Sequence, residues 1–402
     1  MHPYVTRVLL LSVVLSGCAG DSSITGVVDQ CRLAPANALS PDSATAAGRW
    51  NALTRGVIAR REFGPLGTAR TFALVSVAQY NAIVGADDAT KSGAPQSEAG
   101  AAAGAAAAVL AAVYPAEQSV IDAQLASDAA LVAAVASGCA AQFSLGVTAG
   151  RLVGAAVLAR AATDRSAAPW TGTVPTGAGI WKGAPAPAQP LSPAWGQVRP
   201  WLMTSGSQFR PVAPPAFGSA AYQAALDEVR KYSDTRTPEQ LRIAQYWGAV
   251  VNTSGPHGLW SVTGLDLASK SQLDERATAR MLAMMHMAGM DASIGCWDAK
   301  FTYWYLRPFE GDAAITTPVG RPNFPSYPSA HSCLSAAYAT VLAGVFPTAS
   351  GTLTALLDEA GISRIYAGLH YRFDIDAGQQ IGKSIAALAL ARVPDGVAIP
   401  LN

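Results

Sequence analysis

Lys300–Pro308, KFTYWYLRP, together with Pro328–His331, PSAH, and Ser363–Asp374, SRIYAGLHYRFD, is the stretch that decides how the chain is read. Within it, three cations (Lys300, Arg307, Arg364), a hydroxyl (Ser329) and two imidazoles (His331, His370) carry the reading. Brought together, these would cradle a tetrahedral anion and handle a proton or a bond beside it. Lys300 and Arg307 are seven residues apart, so on one helix they return to nearly the same face. Pro308 disfavours α conformation at Arg307, which predicts a helix over 273–307 with Arg307 projecting from its last turn. Pro328 and Ser329 read as the start of the next helix, with Ser329 as N-cap and Ala330 and His331 in a first turn that favours an anion. Gly368 breaks the third segment as a helix C′ residue. A new helix near His370 would put Asp374 on the same face, where its carboxylate orients the ring.

In this order and spacing, K-x6-RP, PS[G/A]H and SR-x5-H-x3-D resemble the superfamily of vanadium-dependent haloperoxidases and type 2 phosphatidate phosphatases, which includes the class A acid phosphatases. The flanks DASIGCWDAKFTYWYLRP and NFPSYPSAHS resemble the haloperoxidase branch. The resemblance implies an all-α fold of two packed bundles and vanadate as cofactor, with hydrogen peroxide and halide as substrates. Lys300, Arg307, Arg364, Ser329 and the Ala330 amide would hold the oxyanion, and His370 would be the axial vanadium ligand. His331 would be the acid-base, and Asp374 would orient His370. The alternative on the same residues is an acid phosphatase that needs no vanadate and hydrolyses a phosphomonoester through a phosphohistidine at His370. A third reading is an inactive anion-binding lipoprotein. Ala330 stands where the family usually has Gly, which matters if the position needs positive φ or if the methyl crowds the pocket. If the cluster were only structural, three buried cations would face a single carboxylate, an imbalance that is costly without an anion.

The rest of the chain supplies the frame. Half of its 402 residues are hydrophobic and the net charge is +1, enough for a real core and no reason to expect nucleic acid. Residues 1–18 read as a lipoprotein signal, with Leu15-Ser16-Gly17-Cys18 a lipobox and Cys18 the lipidated residue. This predicts a protein of the cell envelope, lipid-anchored at the periplasmic side or secreted, that meets membrane only through its anchor. A tether at 19–40 would precede a helical bundle at 41–166, a connector at 167–218 and a second bundle at 219–402. The connector holds ten of the 26 prolines, so it cannot be regular helix and reads as a lid over the site or a structural wrap. An oxidising compartment permits Cys31–Cys139 to pair, with Cys296 and Cys333 either bridged or buried as thiols. His257 reads as a loop histidine, and the five methionines among 281–290, with His286, as core packing. Asp291 could pair with a site arginine or cap. Many members of the family dimerise, so the resemblance allows a homodimer.

Overall fold

The computed structural model describes residues 31, 45–61, 64–183, 189–248 and 253–401, so the signal, Cys18 and the tether, apart from Cys31, lie outside the described residues. Thirteen α-helices occur among them: α1 (Ala46–Arg61), α2 (Pro65–Lys91), α3 (Glu98–Val113), α4 (Gln118–Ala133), α5 (Cys139–Ala162), α6 (Ala220–Asp234), α7 (Pro238–Gly248), α8 (Gly255–Lys270), α9 (Glu275–Tyr303), α10 (Pro308–Gly311), α11 (Ala330–Val345), α12 (Ser350–Tyr366) and α13 (Arg372–Arg392). The fold is all-α, as the sequence predicts. The described residues form no strand beyond an isolated antiparallel bridge, Ile180 to Tyr305.

Small residues set the tightest contact. Along α3 and α5, glycines replace side chains where the backbones cross: a Cβ at Gly104 would lie 2.2 Å from the Val147 carbonyl oxygen, and one at Gly150 would lie 2.1 Å from that of Ala101. α5 is long and apolar enough to cross a membrane, but this glycine face is seated on α3. α2 and α9 are buried along most of their length, and one apolar core runs from α1–α5 through α9, α11 and α13. The methionines of α9 sit in that core, and His286 stacks on Phe72 at 4.7 Å. At the start of α9, buried Glu275 accepts the amides of Ala46 and Ala47, tying α1 to α9.

Three expectations change. α9 stops at Tyr303, not Arg307, because Trp304 turns left-handed (φ 49°) and Tyr305 pairs with Ile180. His257 lies in α8 rather than a loop, since Pro256 fits the first turn of a helix, where its missing N–H is no loss. The connector wraps α9: Trp195 Nε1 donates to Ser293 Oγ, Trp297 Nε1 donates to the Leu191 carbonyl, and the Asp291 carboxylate accepts the amides of Trp201, Leu202 and Met203. Asp291 is therefore a backbone anchor, not a partner for a site arginine. Cys31 and Cys139 form a disulfide, while Cys296 and Cys333 are buried free thiols.

Candidate functional site

The three motif segments meet at one end of α9, α11, α12 and α13. α12 ends as the sequence suggests: Gly368 (φ +72°) donates to the Ile365 carbonyl and Leu369 to that of Arg364, the paired bonds of a glycine C-cap. A Cβ at Gly368 would lie 2.6 Å from the Thr316 carbonyl, so the close approach as well as the dihedral requires glycine. That turn delivers His370 just ahead of α13, which begins at Arg372 with Asp374 in its first turn. His370 Nδ1 is 2.8 Å from Asp374 Oδ2, and its Nε2 is 2.9 Å from Arg307 Nη1. A guanidinium only donates, so Nε2 is the acceptor and the ring proton sits on Nδ1, shared with the carboxylate. Burial, then Arg307 and Lys300, hold His370 well below the ordinary imidazole range. Burial pushes Asp374 up to about 6 against the opposing pull of Ser326, whose Oγ donates to Oδ2 at 2.5 Å, and of Lys300.

His331 lies in the first turn of α11, where Ser329 is the N-cap and its Oγ accepts from the Ser332 amide. The Ser329 amide donates to the Asp374 carbonyl at 2.9 Å, which fixes this turn against α13. Ala330 is the first helical residue and is not among the residues with positive φ, so it carries no backbone strain; its methyl lines the cavity. His331 Nε2 lies 2.8 Å from the Trp247 carbonyl and so must donate to it, leaving Nδ1 as the basic nitrogen of a ring that burial and Arg364 keep neutral.

The cations divide into two groups. Arg364 lines the cavity, braced through Nε to Ser363 Oγ and through Nη2 to the Ala244 carbonyl, with Nη1 pointing toward Gly248. Lys300 and Arg307 stand behind the wall. Lys300 Nζ donates to the carbonyls of Pro325 (2.8 Å), Ser326 (2.8 Å) and Pro328 (2.5 Å), which accounts for all three ammonium protons. Arg307 holds the Phe324 carbonyl through Nε and Nη2 and that of Leu369 through Nη1. In this arrangement both cations give the site positive potential, and Arg307 Nη1 also reaches His370 Nε2. Burial lowers all three, Lys300 to about 8, Arg307 to about 10 and Arg364 to about 9.

A cavity of about 300 Å³ opens beside these groups, lined by His331, His370, Arg364 and Ala330 together with mostly apolar residues. Among the described residues, no group of three His, Cys, Asp or Glu side chains is arranged to hold a metal cation. Sequence reasoning missed Ser326, which positions Asp374, and Glu310, whose Oε2 accepts the Arg307 amide at 2.7 Å. Asp374 offers more lone pairs than one histidine can fill, and the serine inside the quoted NFPSYPSAHS run is the signal that could have supplied the second donor. His257, which the sequence leaves between a structural and a pocket-lining role, lines the cavity.

Residues 278–397 match the family model of the PAP2 superfamily. No curated protein matches the chain. Among solved structures, the chain is similar to the first bacterial vanadium-dependent iodoperoxidase, at 24% identity and a TM-score of 0.74 over 87% of this chain and 96% of that one. It is also similar to a bacterial vanadium-dependent chloroperoxidase, at 14% identity and a TM-score of 0.66 over 82% of this chain, in a holo form (93% covered) and an apo form (95% covered). At these identities the likeness is one of fold.

Proposed function

This chain carries a PAP2-superfamily segment over residues 278–397, and from that premise we propose that it is a vanadate-dependent haloperoxidase-like enzyme oxidising halide with hydrogen peroxide. The observation that carries the reading is the convergence of Arg364, His331, a carboxylate-braced His370 and the N-terminus of α11 on one cavity. These groups fit an oxyanion: one guanidinium lining the cavity, the positive end of a helix, and an imidazole whose Nε2 is an acceptor. His370 Nε2 would ligate the group once it gives up its hydrogen bond from Arg307 Nη1, Arg364 and the first-turn amides of Ala330 and His331 would neutralise its oxygens, and Lys300 and Arg307 would add positive charge. Vanadate, when bound, supplies a Lewis-acid centre that activates peroxide toward halide. Asp374 keeps the His370 proton on Nδ1, and His331 Nδ1 is placed to take a proton from an incoming acid. The Cys31–Cys139 disulfide fits the oxidising envelope compartment that the Cys18 lipobox implies, and we place the protein there.

A second reading has one specific support: a neutral imidazole presenting Nε2 to an anion pocket, with its other nitrogen on a carboxylate, is also the arrangement of a phosphoryl-accepting nucleophile. One purified sample distinguishes the two. Halide oxidation with vanadate and peroxide, without phosphomonoester hydrolysis, is the expected result, and His370→Ala should lose bound vanadium. Ester hydrolysis alone would replace the first reading with the second; vanadium retained undiminished by His370→Ala would remove the ligand assignment.

A further inference from the structure

From Ala129 to Gly150, across the end of α4, the turn after it and the first half of α5, the chain has no Asp, Glu, Lys or Arg. Here the apolar side chains face outward. Leu131 in the last turn of α4, Val135 in the turn and Leu145 on α5 are 44%, 41% and 56% exposed. Exposed Ala133, Ala134, Ala136 and Ala140 lie around them. Leu145 and Leu152 share a face of α5 turned away from Gly146 and Gly150, which are seated on α3. A Cβ at Gly138 would meet no described atom within 4 Å, so the turn is open. The amides of Ala134, Val135, Cys139 and Ala141 donate to carbonyls of the same turn or helix end, and these N–H groups need no water. An exposed apolar patch of this kind marks a surface that meets something apolar.

The disulfide indicates what that is. Cys139, the first residue of α5, is bonded to Cys31, which pins the chain leading back toward Cys18 beside this turn. Cys18, the residue that the lipobox marks for acylation, stands thirteen residues before Cys31. Fully extended, that length of chain spans at most about 45 Å. On the envelope placement proposed above, on which this inference rests, the turn is held within that distance of a bilayer. The other end of α5 belongs to the cavity. There Arg70 of α2 donates to Asp164 and to the Ala161 carbonyl, and Pro65 and Leu66, which open α2, line the cavity. With 24 residues in α5, the turn and the cavity end stand about 36 Å apart along it.

We propose that the α4–α5 turn docks into the surface of a lipid bilayer, with Leu131, Val135 and Leu145 among the acyl chains, and so holds the cavity at the end of the protein away from the membrane. Insertion of this kind reaches about 5–10 Å, which takes in the turn and the first two turns of α5. Because the patch is uncharged, docking draws on apolar burial and does not require anionic headgroups.

The test uses the mature full chain, acylated in a bacterial envelope and reconstituted into phosphatidylcholine vesicles, with its intact mass reporting acylation of Cys18. Ser144→Cys, exposed beside Leu145, and Val212→Cys, whose carbonyl accepts from Tyr327 in the turn leading into α11, each receive an environment-sensitive fluorophore. Cys296 and Cys333 are buried and stay unlabelled. Doxyl-labelled lipid should quench the label at 144 and spare the label at 212, and added salt should change neither. Leu131→Asp with Leu145→Asp should lower the docked-to-free ratio at 144 by about tenfold or more, while circular dichroism keeps its helical spectrum. In an acylated protein, a label at 144 that stays in water, equal quenching at both labels, or quenching abolished by salt overturns the proposal and leaves the envelope reading standing. A label shielded from water but not quenched by lipid puts a second copy of the chain over the turn and also overturns it. A chain without acyl groups on Cys18 overturns the envelope reading and the docking together.

Discussion

Lowering the pH from 7 to 5 should destabilise the protein, and the sign follows from four histidines, of which His257, His286 and His370 are buried and His331 partly so. Burial holds His257, His286, His331 and His370 below the ordinary imidazole value, His257 down to about 4, with Arg364 beside His331 and Arg307 beside His370 adding to it. A group depressed in the fold binds fewer protons there than in the unfolded chain, so stability falls as acid protonates the unfolded state. Between pH 7 and 5 the work for a histidine that stays neutral in the fold is about 2 kcal/mol. Asp291 and Asp374, raised by burial to about 6, act the other way. The folded protein takes up their protons first, and each returns about 1 kcal/mol over the same interval. Glu275, also raised by burial, adds to that opposing side. Before Glu275 is counted, the balance is a net loss of about 6 kcal/mol, a large share of an ordinary domain's stability. Urea unfolding followed by circular dichroism at the two pH values measures it. His286→Gln, which removes a ring facing Asn51 and Ser261 inside the core, should lessen the pH dependence by about 2 kcal/mol. A urea midpoint at pH 5 equal to or above that at pH 7 would refute the reasoning.

The other expectations are quickly stated. Vanadate at about 100 times its dissociation constant should raise Tm by about 3 °C, from a stabilisation of about 2.7 kcal/mol in a chain this long, read by scanning calorimetry. Asp374→Asn, which removes the charge that accepts from His370, Ser326 and the Tyr371 amide, should weaken vanadate by about tenfold or more while the fold persists by circular dichroism. Gly150→Val would force a side chain against the Ala101 carbonyl and should cost about 3 kcal/mol in urea. Reducing Cys31–Cys139, which spans 108 residues, should cost up to about 4–5 kcal/mol, whereas Cys296 and Cys333 should react with a thiol reagent only after unfolding.

Local rules made some of this legible. Ser329 as N-cap and Gly368 as a left-handed C′ residue depend on a few neighbouring residues, and both stand where the sequence places them. Asp374 reaches His370 as expected, although α13 starts two residues beyond His370, because a carboxylate in a helix's first turn can reach back to the residues that lead into it. What escaped depends on chain path. The early end of α9 is settled by Tyr305 pairing with Ile180, more than a hundred residues away, and no spacing within KFTYWYLRP reports that. The same holds for Lys300, whose partners are carbonyls of a turn that must first be placed in space. His257 was misread because Gly-Pro signals both a turn and a helix start, and only packing against Tyr338 decides which.

Lys300 behaves as an internal strut. By gathering three carbonyls of the 325–328 turn, it sets how far Ser329 and the head of α11 stand from α9. A neutral residue there would release those oxygens and let the turn drift, so an inactive Lys300→Ala protein would report a collapsed scaffold as readily as a missing charge. The informative comparison is Lys300→Arg, which preserves the cation but has the wrong shape for the three-way grip.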